Sequence, residues 1–488
     1  MAHLGCAELR QGRADANVAR GTRCGAGTLS QCNRGGEPVI GRDKIISRLK
    51  ETLELNLGDQ SEAVFLGSES HLTRYANSTI HQNVSETQTK VYFRVVTDQK
   101  IGVAATNSLS KTDLRKAYKM AAKIAKVQKP NPDFVSLPGP SDYAQLDTYH
   151  EKTARFTPRQ RAAKVRTIIN RAAKKDCMVA GSLSTGCGEI AVVNSKGVAA
   201  YHPLSSAAIN LIAMKENSSG YAEGLARNID EIDFSKIATT AITKAVKCKD
   251  PEELTAGDYE VILEPAAVGS IFEWVNYIGF GSKAFQENTS FMSGRIGEQV
   301  TGENLTIYDD GTDTSAIAFP FDFEGVPKRR VDLLTHGVAR GVVYDSMSAH
   351  RDDTQSTGHS LTPDATGEGG IALNLFIAPG QSNLKEMISN VENGLLVTRF
   401  HYINGFINTP QAVLTGMTRD GLMRIKNGRL RGGVKNLRFT DSMLRAFGTI
   451  KAISAERELI NAWWDSLGCI AAPAMHLGSF KFTGQTSF

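Results

Sequence analysis

The 488-residue chain has no Cys-x-x-Cys pair among its seven cysteines and no run of about 18 uncharged apolar residues. The first absence argues against a cysteine zinc ribbon and, at this length, against a disulfide framework; the second predicts no membrane-spanning helix. A reduced, cytoplasmic setting fits both. Charge of one sign is also scarce: 56 Lys and Arg against 51 Asp and Glu leave +5, too balanced for a nucleic-acid binder. What is plentiful is core material, with 41% hydrophobic residues and 20 Phe, enough for two or three domains.

The first 42 residues lack more. They contain no aromatic and no Lys, but six Arg, eight Gly and three cysteines, Cys6, Cys24 and Cys32. Without apolar periodicity they cannot supply a core, so a disordered, dispensable extension is expected over 1–42. No apolar stretch of signal-peptide length occurs there, and Glu8, Asp15 and Glu37 dilute its basic character.

Several catalytic patterns are incomplete. His150-Glu151 has no second histidine one helical turn on, which excludes a zinc-protease helix there. Gly186-Cys187-Gly188 imitates a dinucleotide loop but runs into β-prone residues instead of opening a helix. Gly358-His359-Ser360 begins like a nucleophile elbow, yet Thr362 stands where the second glycine is required. His336, His350, His359 and His401, with Cys469 after Trp463-Trp464, offer metal-binding atoms, but no two histidines stand in an i, i+4 relation.

What is present reads as α+β. Ile45, Ile46, Leu49 and Leu53 recur at helical spacing, and β-prone runs follow at 63–66, 73–84, 90–97 and 101–105, a meander. Ser110 with Asp113, and Thr157-Pro158 with Gln160, are helix-start signals. Further β-prone runs at 190–193 and 198–201 precede a helix over 234–247, so 43–250 is expected to form an N-terminal α/β-type domain with a meander sheet and helices. Residues 251–258 read as a linker. From 251 to 488 five dipeptides of hairpin type, Asp310-Gly311, Asn393-Gly394, Asn404-Gly405, Asp420-Gly421 and Asn427-Gly428, predict a mainly antiparallel β domain, a curved sheet or barrel-like. Within it 265–283 is apolar without internal turn signals, which predicts an inserted helix.

The motifs now on the page resemble those of one family. Leu72-Thr73-Arg74-Tyr75-Ala76-Asn77 with Ile80-His81-Gln82-Asn83, and Val95-Val96 with Gly102 and Ala104-Ala105-Thr106-Asn107, are similar to the N-terminal domain of the TldD/TldE (PmbA) proteins. Ser356-Thr357-Gly358-His359, the stretch from Gly394 to His401, Thr415-Gly416-Met417-Thr418-Arg419-Asp420-Gly421 and Lys435-Asn436-Leu437-Arg438-Phe439-Thr440 follow in the family's order. The resemblance covers roughly 43–488.

That resemblance implies an ATP-independent proteolytic system in which a zinc-bearing TldD subunit pairs with a TldE subunit and degrades or trims unfolded or extended peptides. TldD members carry His-Glu-x-x-x-His on a helix early in the C-terminal domain; here the corresponding helix reads Phe272-Glu273-Trp274-Val275-Asn276-Tyr277. The carboxylate stays while aromatics hold both ligand positions, which cannot replace two imidazoles. The expectation is a TldE-type subunit with no metal and no catalytic residue of its own, zinc residing in a TldD-like partner. Phe272 and Tyr277 are equally compatible with buried core aromatics. Arg399, His401, Arg419 and Arg438, within or beside the motifs, are candidates for lining a substrate cavity, with salt bridges inside the sheet as the competing role. Two other readings stay open: a self-contained metallopeptidase drawing a non-standard set from the histidines and Cys469, and an interaction protein of the DNA gyrase modulator type.

Overall fold

The computed structural model describes residues 39–365, 367–462 and 467–486. The expected N-terminal extension therefore lies outside the described residues except for 39–42, as do Trp463 and Trp464. Among the described residues the strands form two sheets, of six and thirteen strands.

The first sheet joins β1 (Gln60–Ala76), β2 (Thr79–Thr97), β3 (Lys100–Thr106), β4 (Met178–Asn194), β5 (Ala199–Lys215) and β6 (Ser218–Ala226) in the order β3-β2-β1-β4-β5-β6, every neighbour antiparallel. The separate runs at 63–66 and 73–84 are corrected: the first lies inside β1, and the second straddles a tight turn. Asn77 and Ser78, at φ 50° and 56°, make that turn between β1 and β2. The polar residues between the runs stay extended because β2 and β4 pair with β1 on both sides.

Helices α1 (Arg42–Leu53), α2 (Lys111–Val127), α3 (Glu151–Ala154), α4 (Pro158–Ala173) and α5 (Phe234–Lys247) accompany this sheet. Their starts follow the sequence signals. Ser110 Oγ accepts from the Asp113 amide at 3.1 Å, and Thr157 with Gln160 closes a reciprocal capping box over Pro158. Leu114, Tyr118 and Ala121 of α2 pack with Phe65, Phe93 and Val95, while Val165 and Ile168 of α4 and Ala241 and Ile242 of α5 cover Leu183 and Leu211. The opposite face is also covered. Val64, Tyr92, Ile190 and Val192 pack against Phe319, Phe321 and Phe376 from the C-terminal half, which explains why the first part of β1, from Ser61 to Phe65, is buried on both faces.

The second sheet takes β7 (Gly257–Leu263), β8 (Ile307–Asp309), β9 (Val331–Thr335), β10 (Val338–Ala339), β11 (Asn374–Ile377), β12 (Asn393–Val397), β13 (Arg399–Asn408), β14 (Val413–Arg419), β15 (Met423–Lys426), β16 (Arg429–Gly433), β17 (Leu437–Ser442), β18 (Ile450–Asn461) and β19 (Cys469–Gln485). It is mainly antiparallel, with β11 parallel to β19 and β12 parallel to β7, and it does not close into a barrel. Helices α6 (Pro265–Gly279), α7 (Ser282–Gln286) and α8 (Ser346–Arg351) interrupt it. The α+β reading holds, including the inserted helix.

The hairpin signals mostly do something else. Asn427-Gly428, at φ 49° and 70°, does join the paired strands β15 and β16. Asn393-Gly394 instead opens β12, Asn404-Gly405 lies inside β13, and Asp420-Gly421 passes from β14 to β15, which pair with different strands. The expected linker is pinned as well: the Glu252 amide donates to Gly433 O, the Lys435 amide donates to Glu252 O, and Lys435 pairs with Glu253 at 2.7 Å.

A buried ionic cluster joins the two halves. Arg94 of β2 lies 3.0 Å from Glu324 and 3.4 Å from Glu62 of β1, all three excluded from solvent. The second Glu324 oxygen accepts from the Ser346 amide, and Asp322 accepts from the amides of Glu324, Val326 and Ser360. Burial, partly opposed by Arg94, pushes Glu62 up to about 7; burial, with Glu324 adding to it, pushes Asp322 up to about 7.

Two outcomes follow. Ile40 and Gly41 donate their amides to the Glu189 carboxylate at 2.7 and 2.8 Å. A chain starting at Asp43 should therefore be less stable than one starting at Pro38, by on the order of 2 kcal/mol in urea unfolding. The raised pKa of Glu62 sets the sign of a pH effect: its contribution is full below the unfolded value near 4.5 and is lost as pH rises through about 7. Glu62→Gln should remove a decline on the order of 2 kcal/mol between pH 5 and 7. An unchanged pH slope in the variant would contradict this origin.

Candidate functional site

Helix α6 begins with Pro265 at its first position, where a missing amide costs nothing, and is apolar almost all round. It packs closely. A Cβ on Gly269 would stand 2.7 Å from Ile460, and one on Gly279 would meet Phe291 at 1.9 Å. Phe272 points inward and stacks on Phe447 with centroids 4.8 Å apart. Tyr277, five residues on, lies roughly 140° around the helix, and its side is 44% exposed. The expectation that both aromatics are buried is thus corrected for Tyr277. The two positions face different surroundings, and Glu273 is the one carboxylate on the helix. These residues do not fit a zinc ion, which needs at least three nitrogen, sulfur or oxygen donors converging on one point.

The other proposed donors are dispersed. His336 sits in a turn at φ 49°, and His350 is exposed in α8. His359 is fully engaged: Nε2 contacts Asp309 at 2.7 Å and Nδ1 lies 2.9 Å from the Thr357 carbonyl. Cys469 Sγ accepts from the Ile317 amide at 3.5 Å, and burial pushes its thiol up to about 11, so it stays protonated. Among the described residues no three His, Cys, Asp or Glu side chains group as a metal site requires. The non-standard metal set is therefore not assembled.

The four candidate substrate residues do come together. Arg399 is directly opposite Arg419, His401 is opposite Met417, and Met417 is opposite Arg438, across β13, β14 and β17. Opposed residues and residues two apart share a sheet face, so Arg399, His401, Arg419 and Arg438 stand on one face. Their roles differ. Arg399 is committed to structure: its Nε donates to Asp420 at 2.8 Å, its Nη2 reaches the same oxygen, and its guanidinium lies 4.2 Å above the Tyr221 ring. Ser219 of β6 donates to the other Asp420 oxygen at 2.7 Å, so this cluster ties the second sheet to the first. Burial first, then Arg419 and Arg399, holds His401 below its usual pKa, leaving it neutral at pH 7. Arg438 is exposed, and Arg419 is the more open of the two arginines beside Asp420.

Asp420 also borders a cavity of about 770 Å³, lined by Ser219, Asp250, Glu253, Lys435 and Gln485 among others. Sequence reasoning missed this cavity, because its walls come from five separate segments of the chain. It missed Asp420 as a clamp and the Arg94 cluster too. A signal for the latter existed: Arg94 interrupts the otherwise apolar run at 91–96.

If Arg399 is a clamp, Arg399→Met should cost about 3 kcal/mol in urea unfolding, since it leaves Asp420 buried with weaker compensation. Arg438→Ala should change stability by under about 0.5 kcal/mol. Equal effects of the two would refute the division of roles.

Three models of one family match the chain: PmbA/TldA metallopeptidase domain 1 over residues 61–125, the central domain over 151–249 and the C-terminal domain over 256–484. A metalloprotease TldD homolog of Haemophilus influenzae is 23% identical over 397 residues, covering 75% of this chain and 79% of its own. A metalloprotease of Methanocaldococcus jannaschii is 20% identical over 420 residues, covering 83% and 92%. The crystal structure of TldE from Thermococcus kodakarensis superimposes with a TM-score of 0.82 at 20% identity, over 90% of this chain and 100% of that one. A Thermotoga maritima structure described as a modulator of DNA gyrase gives 0.79 at 19% identity, again over 90% and 100%. With all three domain models matched in order over most of its length, the chain belongs to the PmbA/TldD metallopeptidase family.

Proposed function

We propose that this chain is the TldE-type, non-zinc subunit of a cytoplasmic TldD/TldE-type protease that degrades or trims extended peptides, with the zinc in a TldD-like partner. The observation that carries the reading is the donor set of α6: Phe272 in the core, Tyr277 at the surface and Glu273 between them. A subunit without its own metal site contributes by holding substrate and completing a shared cavity. The sheet face bearing His401, Arg419 and Arg438 suits the first task, since two cations beside open strands favour backbone carbonyls and the carboxylate end of a peptide.

The reading as a DNA gyrase modulator rests on the descriptions of structural neighbours that are 18–19% identical. The chain's net charge of +5 is small for direct DNA binding. No helix of the described residues is long and apolar enough to cross a membrane.

Mixing the purified chain with a TldD-type chain should yield peptidase activity on unstructured peptides that this chain alone lacks. Glu273→Gln here should alter that activity by less than about fivefold, because α6 carries no histidine to hold a metal-bound water against it. Chelator-sensitive cleavage by this chain alone, abolished by Glu273→Gln, would overturn the assignment.

A further inference from the structure

Of the twelve large apolar side chains exposed among the described residues, four come from the end of α6 and from β13, and they include all the exposed aromatic ones. Tyr277 at the end of α6 and Tyr402, Phe406 and Ile407 of β13 are 44%, 76%, 61% and 52% exposed. Three rings interlock there: Phe406 stands 5.3 Å from Trp274 and 5.8 Å from Tyr277, both nearly perpendicular to it.

The backbone displays these residues. β13 pairs with β14 at Asn404 and Asn408, but the register breaks on either side of Asn404, and Tyr402 has φ 52°. Such irregularities re-aim side chains. Gly405 fixes the geometry: a Cβ there would lie 2.8 Å from the Trp274 ring and 2.9 Å from Leu414. The strand therefore presses against α6 at Gly405 and throws Phe406 and Ile407 outward in a held conformation. The other edge of β13 pairs with no strand among the described residues.

We propose that this bulge and the end of α6 form the docking face for the zinc-bearing TldD-type chain, with Phe406 as its central anchor; the inference rests on the paired-subunit reading above and deepens it. Two features select that occupant. A strand edge flanked by rings is complementary to the same element of a second chain of the same fold, related by a pseudo-twofold axis, whereas a small ligand would need a concave site. Residues 402–408 carry no charge, while the sheet face running on from them bears Arg419 and Arg438. A basic rim disfavours a second copy of this chain and favours a relative with acidic residues at the rim. Exposed aromatic side chains such as Tyr277, Tyr402 and Phe406 are enriched at the cores of such contacts, and Phe406 is held rigidly by the buried Trp274 behind it.

The test uses the full chain and a TldD-type chain from the same genome, followed by light scattering and a binding isotherm. Phe406→Asp and Tyr402→Asp should each keep the wild-type melting temperature and weaken the complex, Phe406→Asp by roughly 30-fold or more. A photo-crosslinking phenylalanine analogue at position 406 should form a covalent adduct with the partner; this readout stands even if Phe406→Asp does not fold. Wild-type binding that both variants reproduce, with no adduct from 406, overturns the docking face and leaves the paired-subunit reading intact. Homodimerisation through position 406 overturns the choice of occupant. Absence of any wild-type complex removes the paired-subunit reading itself, and this inference with it.

Discussion

Arg94 sealed between Glu62 and Glu324 is the contact on which the arrangement of the two sheets depends. A buried guanidinium needs counter-charge, and its two carboxylates come from opposite halves of the chain. Separating them would leave a charge in a dry environment, which costs about 3–5 kcal/mol when one partner of such a pair is removed. The contact also fixes register. It holds the outer face of the first sheet against Phe319, Phe321 and Phe376, and the Arg399–Asp420–Ser219 cluster repeats the device elsewhere along the junction. α6 and β13 go with the second sheet, and their position relative to the first is set by these two ties together with the Lys244–Glu264 pair at 2.7 Å, which joins α5 to the start of α6.

How much of this was legible from residues alone varies with the range of the interaction. Helix starts were, because Ser110 and Thr157 act within four residues of themselves. The inserted helix was, because no turn signal interrupts its apolar run. Hairpins were not: Asn393-Gly394 and Asn404-Gly405 carry the local chemistry of a turn, yet both are held extended by strands that pair with them from elsewhere in the chain. The exposure of Tyr277 was also hidden. Helical periodicity says which residues share a side, but α6 is apolar on every side, so periodicity cannot choose which side meets solvent.

The candidate site was half legible. The family motifs singled out Arg399, His401, Arg419 and Arg438 as candidates for lining a substrate cavity, and the pairing of β13, β14 and β17 puts all four on one face. Their division of labour is a tertiary matter. Arg399 became a clamp because Asp420 sits in a turn that also meets Ser219 of the first sheet, a contact spanning about two hundred residues that no local pattern reveals.

The account's central claim is that the chain carries the family's fold without a metal centre. Elemental analysis of the purified chain after dialysis tests it most directly, alongside the complex with a TldD-type partner. The account predicts negligible zinc in the chain alone and about one zinc per paired complex. About one zinc per chain, retained by the isolated protein, would contradict it.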